Sequence, residues 1–340
     1  MLAQYFIAKT TKCWQKVLEV LRVNFEQDIH TIRILAFEMQ TRNFNMTKLE
    51  KLCEVRQQKV NAAFTNTELC EVLINSCFVH NYSQINEKSG QTALLNVFLK
   101  KKKMTSLSVN VNKIATLRNS RGGDMPNLVQ TAKDLESFGA QGITIHPRPD
   151  ERHIRYQDAY DLKEVAQTEL NIEGNPIPKF VDLVLAVKPA QVTLVPDAED
   201  AITSNAGWDT IQHKSFLMDV IQEFKSNGIR TSIFLDPDPK QVEGAKVTGT
   251  DRIELYTEAY AKGFPKSPET AIALYTETAK RATELKIGLN AGHDLNLQNI
   301  GYFHQHIPNL LEVSIGHALI CESLYFGLEN VVNQYRAKLI

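Results

Sequence analysis

The chain has 340 residues, 43% of them apolar and 23% charged, with a formal net charge of −1. That length exceeds one small domain and accommodates one (β/α)8 barrel plus an extension. The near-neutral charge gives no global attraction for nucleic acid or an anionic membrane, and no apolar run approaches the roughly 18 residues of a membrane span.

The average hides a break. Residues 1–103 carry 15 Lys and Arg against 9 Asp and Glu, whereas the remainder carries 23 against 30. The front contains no proline and only Gly90, and it holds Cys13, Cys53, Cys70 and Cys77, leaving Cys321 for the back. An odd cysteine count without regular spacing fits neither a disulfide framework nor a zinc site, so a reducing, cytoplasmic setting is expected. The N-terminus lacks a signal-peptide core.

In the front segment, Leu18, Leu21, Phe25, Ile29, Ile32 and Leu35 recur at helical spacing over 12–40. Residues 47–75 look similar, with Thr47 and Glu50 spaced as a capping box, and 81–92 reads as loop. Lys100–Lys103 reads as a solvated junction. Met104 then immediately precedes the first strong strand. The division expected is a mostly helical or disordered, non-catalytic extension over 1–103, arising from upstream translation or fusion, and a catalytic barrel over 104–340.

From Leu107 short β-rich runs alternate with helical ones. Strands are predicted at 107–113, 142–146, 170–173, 191–195, 229–235, 251–255, 286–290 and 310–315. Helices are predicted near 127–138, 156–167, 177–187, 211–227, 239–247, 267–284, 297–305 and 317–336. Eight such units demand parallel strands with crossover helices and close most naturally into an α/β TIM barrel. No G-x-G-x-x-G follows the first strand, which weakens a dinucleotide-binding reading. Gly139, Gly228 and Gly249 are expected to end helices in a left-handed conformation.

Active sites of this fold lie at the C-terminal ends of the strands. By that rule His146, Glu173 and His293 converge on one mouth from three strands. Two imidazoles and a carboxylate suit a reaction with several proton transfers. Their rival use is a metal site, but there is no H-E-x-x-H and no close ligand pair. Asn110 and Asn112 are expected on strand 1, Asp236 at the end of strand 5, and Glu254 on strand 6. Gly292 and Gly316, with His317 opening the last helix, suit a phosphate at a helix N-terminus. A second anion site is basic: Arg118, Arg121, Arg148, Arg152 and His153 follow strands 1 and 2. The long 196–210 segment is expected to close as a lid. His304 and His306 are expected on exposed surface away from the mouth.

The stretches VNVNKIATLRNSRGG, GITIHPRPDERHI, NIEG, LVPD with TSNAGWD, NAGHDL and SIGHALI appear in order and spacing. Together they resemble the pyridoxine 5′-phosphate synthase family across 104–340 and not before. The resemblance implies a cofactor-free condensation of 1-deoxy-D-xylulose 5-phosphate with 3-amino-2-oxopropyl phosphate in a homo-octameric barrel. It implies that His146 accepts a proton, Glu173 is the central acid–base carboxylate and His293 donates a proton. Asn110, Arg121, Asp294, Gly316 and His317 fall where the family holds the aminoketone phosphate. Asn112, Lys113, Arg148, His153 and Thr203 fall where it holds the pentulose phosphate. Many members have Asp-His in place of Asn112-Lys113, and a glycine in place of Asp294. The alternatives are another phosphosugar barrel enzyme, such as an aldolase using Lys113 or an epimerase, and a phosphometabolite-binding protein without turnover.

Overall fold

The computed structural model describes residues 104–197, 204 and 206–340. The expectations for the front segment lie outside the described residues. Eight parallel strands close into a barrel in sequence order. They are β1 Ser106–Asn110, β2 Gly142–Ile145, β3 Glu169–Gly174, β4 Gln191–Leu194, β5 Arg230–Leu235, β6 Arg252–Tyr256, β7 Gly288–Gly292 and β8 Leu310–Ile315. Closure comes from β1 against β8, with Leu107 opposite Val313 and Val109 opposite Ile315.

The helices are α1 Asn112–Asn119, α2 Leu128–Ser137, α3 Tyr156–Val165, α4 Pro178–Val187, α5 Lys214–Ser226, α6 Pro239–Thr248, α7 Glu258–Gly263, α8 Pro268–Glu284, α9 Ile300–His306, α10 His317–Phe326 and α11 Leu328–Lys338. Local chemistry starts several of them. Asn127, Asp238 and Ser267 accept from backbone N–H groups of the first turns of α2, α6 and α8. Proline opens α4, α6 and α8, where no helical N–H is needed.

Alternation along the strands sorts the two faces. Leu107, Val109, Ile143, Ile172, Val192, Ile253 and Val313 are fully buried in the cluster shared with the helices. Each such side chain contributes roughly 1.5–3 kcal/mol of burial. The intervening residues line a polar barrel interior. Ser108 bonds Thr144 at 2.7 Å, Thr193 bonds Asn171 at 3.1 Å, and Arg252 bonds Asn290 at 3.2 Å. Arg230 pairs with Glu169, and Arg252 with Glu312 at 3.4 Å.

Gly139, Gly228 and Gly249 have φ of 102°, 77° and 79°, as expected of left-handed helix ends. Three departures from the predicted elements bear on the site. Strand 1 stops at Asn110, so Asn112 and Lys113 open α1 instead of extending the strand. β7 runs two residues further than predicted and ends at Gly292, directly before His293. The expected last helix breaks at Gly327, whose φ is 80°, into α10 and α11.

Candidate active site at the mouth of the barrel

Two asparagines organise the entrance. Asn110, the last residue of β1, accepts from the N–H of Asn112 at 3.0 Å. Its amide also donates to Glu173 Oε2 at 3.4 Å. That side-chain turn ends the strand and begins α1. Asn112 Oδ1 in turn accepts from the His146 N–H at 3.0 Å, fixing the exit of β2. Lys113 projects from the first turn of α1 and is exposed.

His146 follows β2 and is buried; burial first, then the charges of Arg148, His153 and His293, hold its pKa well below the usual imidazole range. Glu173, on β3, is 8% exposed. Burial pushes its carboxyl up to about 7, helped by Asp197 and Glu312 and opposed by His293 and Arg148. His293 follows β7 with a φ of 89°. For a residue with a Cβ such a backbone costs about 1–3 kcal/mol. Its N–H donates to Ser314 O at 3.2 Å, and its ring packs edge-on against Tyr256 at 5.6 Å between centroids. Burial works against the charged imidazole, but Asp294, 3.4 Å from Nδ1, together with Glu173 and Asp197, outweighs it and raises its pKa. Near neutral pH the mouth therefore offers an uncharged imidazole, a carboxyl close to half-protonated, and an imidazole biased toward carrying a proton.

Around this centre stand two anion-binding candidates. Gly316 brings the end of β8 against Asn110, so that a Cβ there would lie 3.1 Å from Asn110 Cβ. Directly after it, His317 begins α10 and is exposed, with free N–H groups at the first turn of the helix. Arg121 is exposed in the turn that follows α1. On the other side Arg148 is buried and His153 half-buried, its ring 6.5 Å from that of His146. Burial, then Arg148 and Lys113, pulls His153 down to about 4, leaving it neutral. Asp294 turns its N–H to Thr257 Oγ1 at 3.2 Å. Thr203 and most of the expected lid lie outside the described residues.

One expectation fails outright. Arg118 is not a loop cation facing the mouth. It lies on α1, 3% exposed, and its guanidinium grips Asp158 of α3 at 2.7 and 2.9 Å. The sequence pattern shows a basic cluster but not which member is committed to a distant carboxylate. His304 also differs from expectation: it is half-buried, its Nδ1 3.0 Å from Thr105 Oγ1, while His306 is exposed and stacks on Tyr302.

Two further carboxylates stand near the centre: Asp197, in the segment expected to close as a lid, and Glu254, expected on strand 6. Asp197, just beyond β4, accepts from Arg148 at 2.7 Å and from Ser204 at 2.7 Å, and its Oδ2 is 4.0 Å from His146 Nε2. The strand-end rule reaches this position. Glu254 on β6 is 2% exposed and its Oε2 lacks a hydrogen-bond partner. Burial, then Glu173 and Glu312, holds its carboxyl well above the usual range. Among the described residues no group of three or more His, Cys, Asp or Glu could hold a metal ion.

Known proteins resemble this chain over the barrel. The family model described as "Pyridoxal phosphate biosynthesis protein PdxJ" matches residues 107–340. The chain belongs to this family. A pyridoxine 5′-phosphate synthase of Christiangramia forsetii is 66% identical over 232 residues, 68% of this chain and 98% of that one. The enzyme of that name from Flavobacterium johnsoniae is 65% identical over 236 residues, covering 69% of this chain and 100% of its own. The one from Bacteroides thetaiotaomicron is 60% identical over 233 residues, 68% and 98% of the two chains. A solved structure from Aquifex aeolicus aligns with a TM-score of 0.50 at 13% identity, over 74% of this chain and 99% of that one. That likeness shows the barrel fold alone. Pyridoxal phosphate biosynthesis is thus the setting to which this chain belongs.

Proposed function

We propose that this chain is a pyridoxine 5′-phosphate synthase, condensing 1-deoxy-D-xylulose 5-phosphate with 3-amino-2-oxopropyl phosphate to pyridoxine 5′-phosphate, phosphate and water. The observation that carries the reading is a buried carboxyl, Glu173, with a pKa of about 7 among histidines of opposite bias. Forming a pyridine ring from an amine and two carbonyl compounds requires imine formation, dehydrations and loss of phosphate. Every one of those steps moves a proton and none transfers an electron, so the overall reaction balances without an external oxidant or reductant.

The roles follow from charge state. His146, held neutral, accepts the proton released as the amine nitrogen adds to the pentulose ketone. Glu173, close to half-ionised, removes a carbon-bound proton in one step and returns one in another. His293, biased toward its charged form, donates to departing oxygen. Asn110, Arg121, Asp294, Gly316 and His317 hold the aminoketone phosphate. Asn112, Lys113, Arg148, His153 and Thr203 hold the pentulose phosphate.

Residues 1–103 take no part in this chemistry; the family match begins at residue 107, and 232–236 aligned residues suffice to cover 98–100% of the relatives. Among the described residues no helix is long and apolar enough to cross a membrane. The working protein is a cytoplasmic homo-octamer; Leu324, Tyr325 and Phe326, 76%, 84% and 58% exposed at the end of α10, supply an apolar contact for another copy. The test is an assay of the full chain and of residues 104–340 with both substrates, following pyridoxine 5′-phosphate. Equal turnover supports both proposals. Absence of product from folded full chain overturns the reaction, and product from the full chain but not from folded 104–340 overturns the passive extension.

A further inference from the structure

Thr257 lies one residue beyond β6 and is fully buried. It is the N-cap residue of α7, yet its side chain bonds no N–H of that helix. Threonine at such a position ordinarily caps its own helix. Here the hydroxyl crosses to the chain leaving β7 instead. It donates to the Gly292 carbonyl at 2.6 Å and accepts from the Asp294 N–H at 3.2 Å. A hydroxyl has one proton and two lone pairs, so both bonds form together.

Those two groups belong to the peptide units immediately before and after His293. The β6–β7 ladder ends with Tyr256 opposite Gly292, so no pairing with β6 governs the backbone beyond Gly292. His293 has a φ of 89°, in a region that a residue with a Cβ adopts only where its surroundings impose it. From β8 the Ser314 carbonyl takes the His293 N–H at 3.2 Å. From the end of β6 the Thr257 hydroxyl holds both flanking peptides.

We infer that Thr257 is a positioning residue, whose hydroxyl fixes the two peptide planes that aim the His293 imidazole into the site. The inference rests on the proposed proton-donor role of His293. Valine reproduces the shape of threonine without either bond, whereas serine keeps the hydroxyl.

The experiment compares Thr257→Val, Thr257→Ser and Thr257→Ala in the full chain, alone and with His293→Gln. Thr257→Val is expected to lower kcat roughly 10²-fold, the scale set by a small misplacement of a reacting group. KM for the pentulose phosphate stays within about twofold, because none of the residues proposed to hold that substrate is bonded to Thr257. Thr257→Ser restores most of kcat. In the His293→Gln background Thr257→Val has no further effect, since the two changes act through one group.

The alkaline limb of the kcat profile gives a second readout. His293 faces Asp294 beside it, Glu173 from β3, Asp197 after β4, His146 from β2, and the Tyr256 and Phe234 rings. When the Asp294 peptide is released its carboxylate leaves Nδ1, and the alkaline limb moves to lower pH. Thr257→Ala removes the same bonds without crowding and carries the comparison if the valine chain does not fold. Wild-type turnover in the substituted chain, an equal loss in the His293→Gln background, or a serine chain as slow as the valine chain overturns the inference. A fully active His293→Gln chain removes the premise with it; an impaired His293→Gln chain beside a fully active Thr257→Val chain removes the inference alone.

Discussion

Arg148 donates to Asp197 Oδ2 at 2.7 Å, and that same oxygen lies 4.0 Å from His146 Nε2. A single buried carboxylate thus joins a substrate-binding candidate to a catalytic one. Asp197 also helps to push the Glu173 carboxyl up and to hold the proton on His293. Asp197→Asn removes the charge and keeps the shape. Glu173 then ionises at lower pH, and His293 loses its proton at lower pH. Both limbs of the kcat profile are expected to move in the acid direction, read from turnover between about pH 5 and pH 9. An unmoved acid limb would count against electrostatic coupling between Asp197 and Glu173.

Glu173→Gln is expected to keep the fold and abolish product. It also carries a stability signature with a defined sign. The folded carboxyl titrates at about 7, above its usual 4.5, so between those values the folded state holds the extra proton. Wild-type stability therefore falls as pH rises through that window. Glutamine has no such proton to lose. Relative to wild type, the substituted chain gains on the order of 3 kcal/mol above pH 7 and nothing at pH 4. Urea denaturation at both pH values checks this, and equal differences at the two would refute it.

Arg118 and Arg121 are three residues apart and should behave oppositely. Arg118→Ala leaves Asp158 buried without its bidentate partner and destabilises the barrel by about 3–5 kcal/mol. Arg121→Ala removes an exposed side chain, leaves the melting temperature unchanged, and raises KM for the aminoketone phosphate roughly tenfold or more. Calorimetry and steady-state kinetics on the two chains separate the outcomes.

Gly292→Ala tests how closely the chain packs before His293. The new methyl would lie 2.5 Å from Glu254 Oε1 and 2.8 Å from Ser314 O. Overpacking of this kind costs about 1–3 kcal/mol, and the displaced backbone carries His293 with it, so kcat falls too. Gly316→Ala meets Asn110 at 3.1 Å and is expected to fold, with KM for the aminoketone phosphate raised more than kcat is lowered. A Gly292→Ala chain with unchanged stability and turnover would contradict the packing described.

The barrel was readable because its cause is periodic. Short β-rich runs marked all eight strands, and longer helical runs marked most of the crossovers. What periodicity missed were bonds made by single side chains. V-N-V-N continues the alternation through Asn112, but Asn110 turns onto the Asn112 N–H and ends β1. The ionic partner of Arg118 is 40 residues away, so nothing local separates it from Arg121. His146, Glu173 and His293 were found by position, because each stands at a strand end. Asp197 satisfies the same rule, but the segment around it read as a lid.

The closure of β1 on β8 sets a timetable. Translation delivers residues from the N-terminus onward, and domains form as their parts emerge. The hydroxyl of Thr105 bonds the Leu310 carbonyl across 205 residues, and the Leu339 carbonyl returns to the Thr105 N–H at 3.4 Å. The corner between Asn110 and Gly316 spans that same seam. It cannot exist on a nascent chain until nearly every residue has left the ribosome. The candidate phosphate cradle is therefore among the last parts of the enzyme to be assembled, and a chain stalled short of β8 has strands but no place for the aminoketone phosphate.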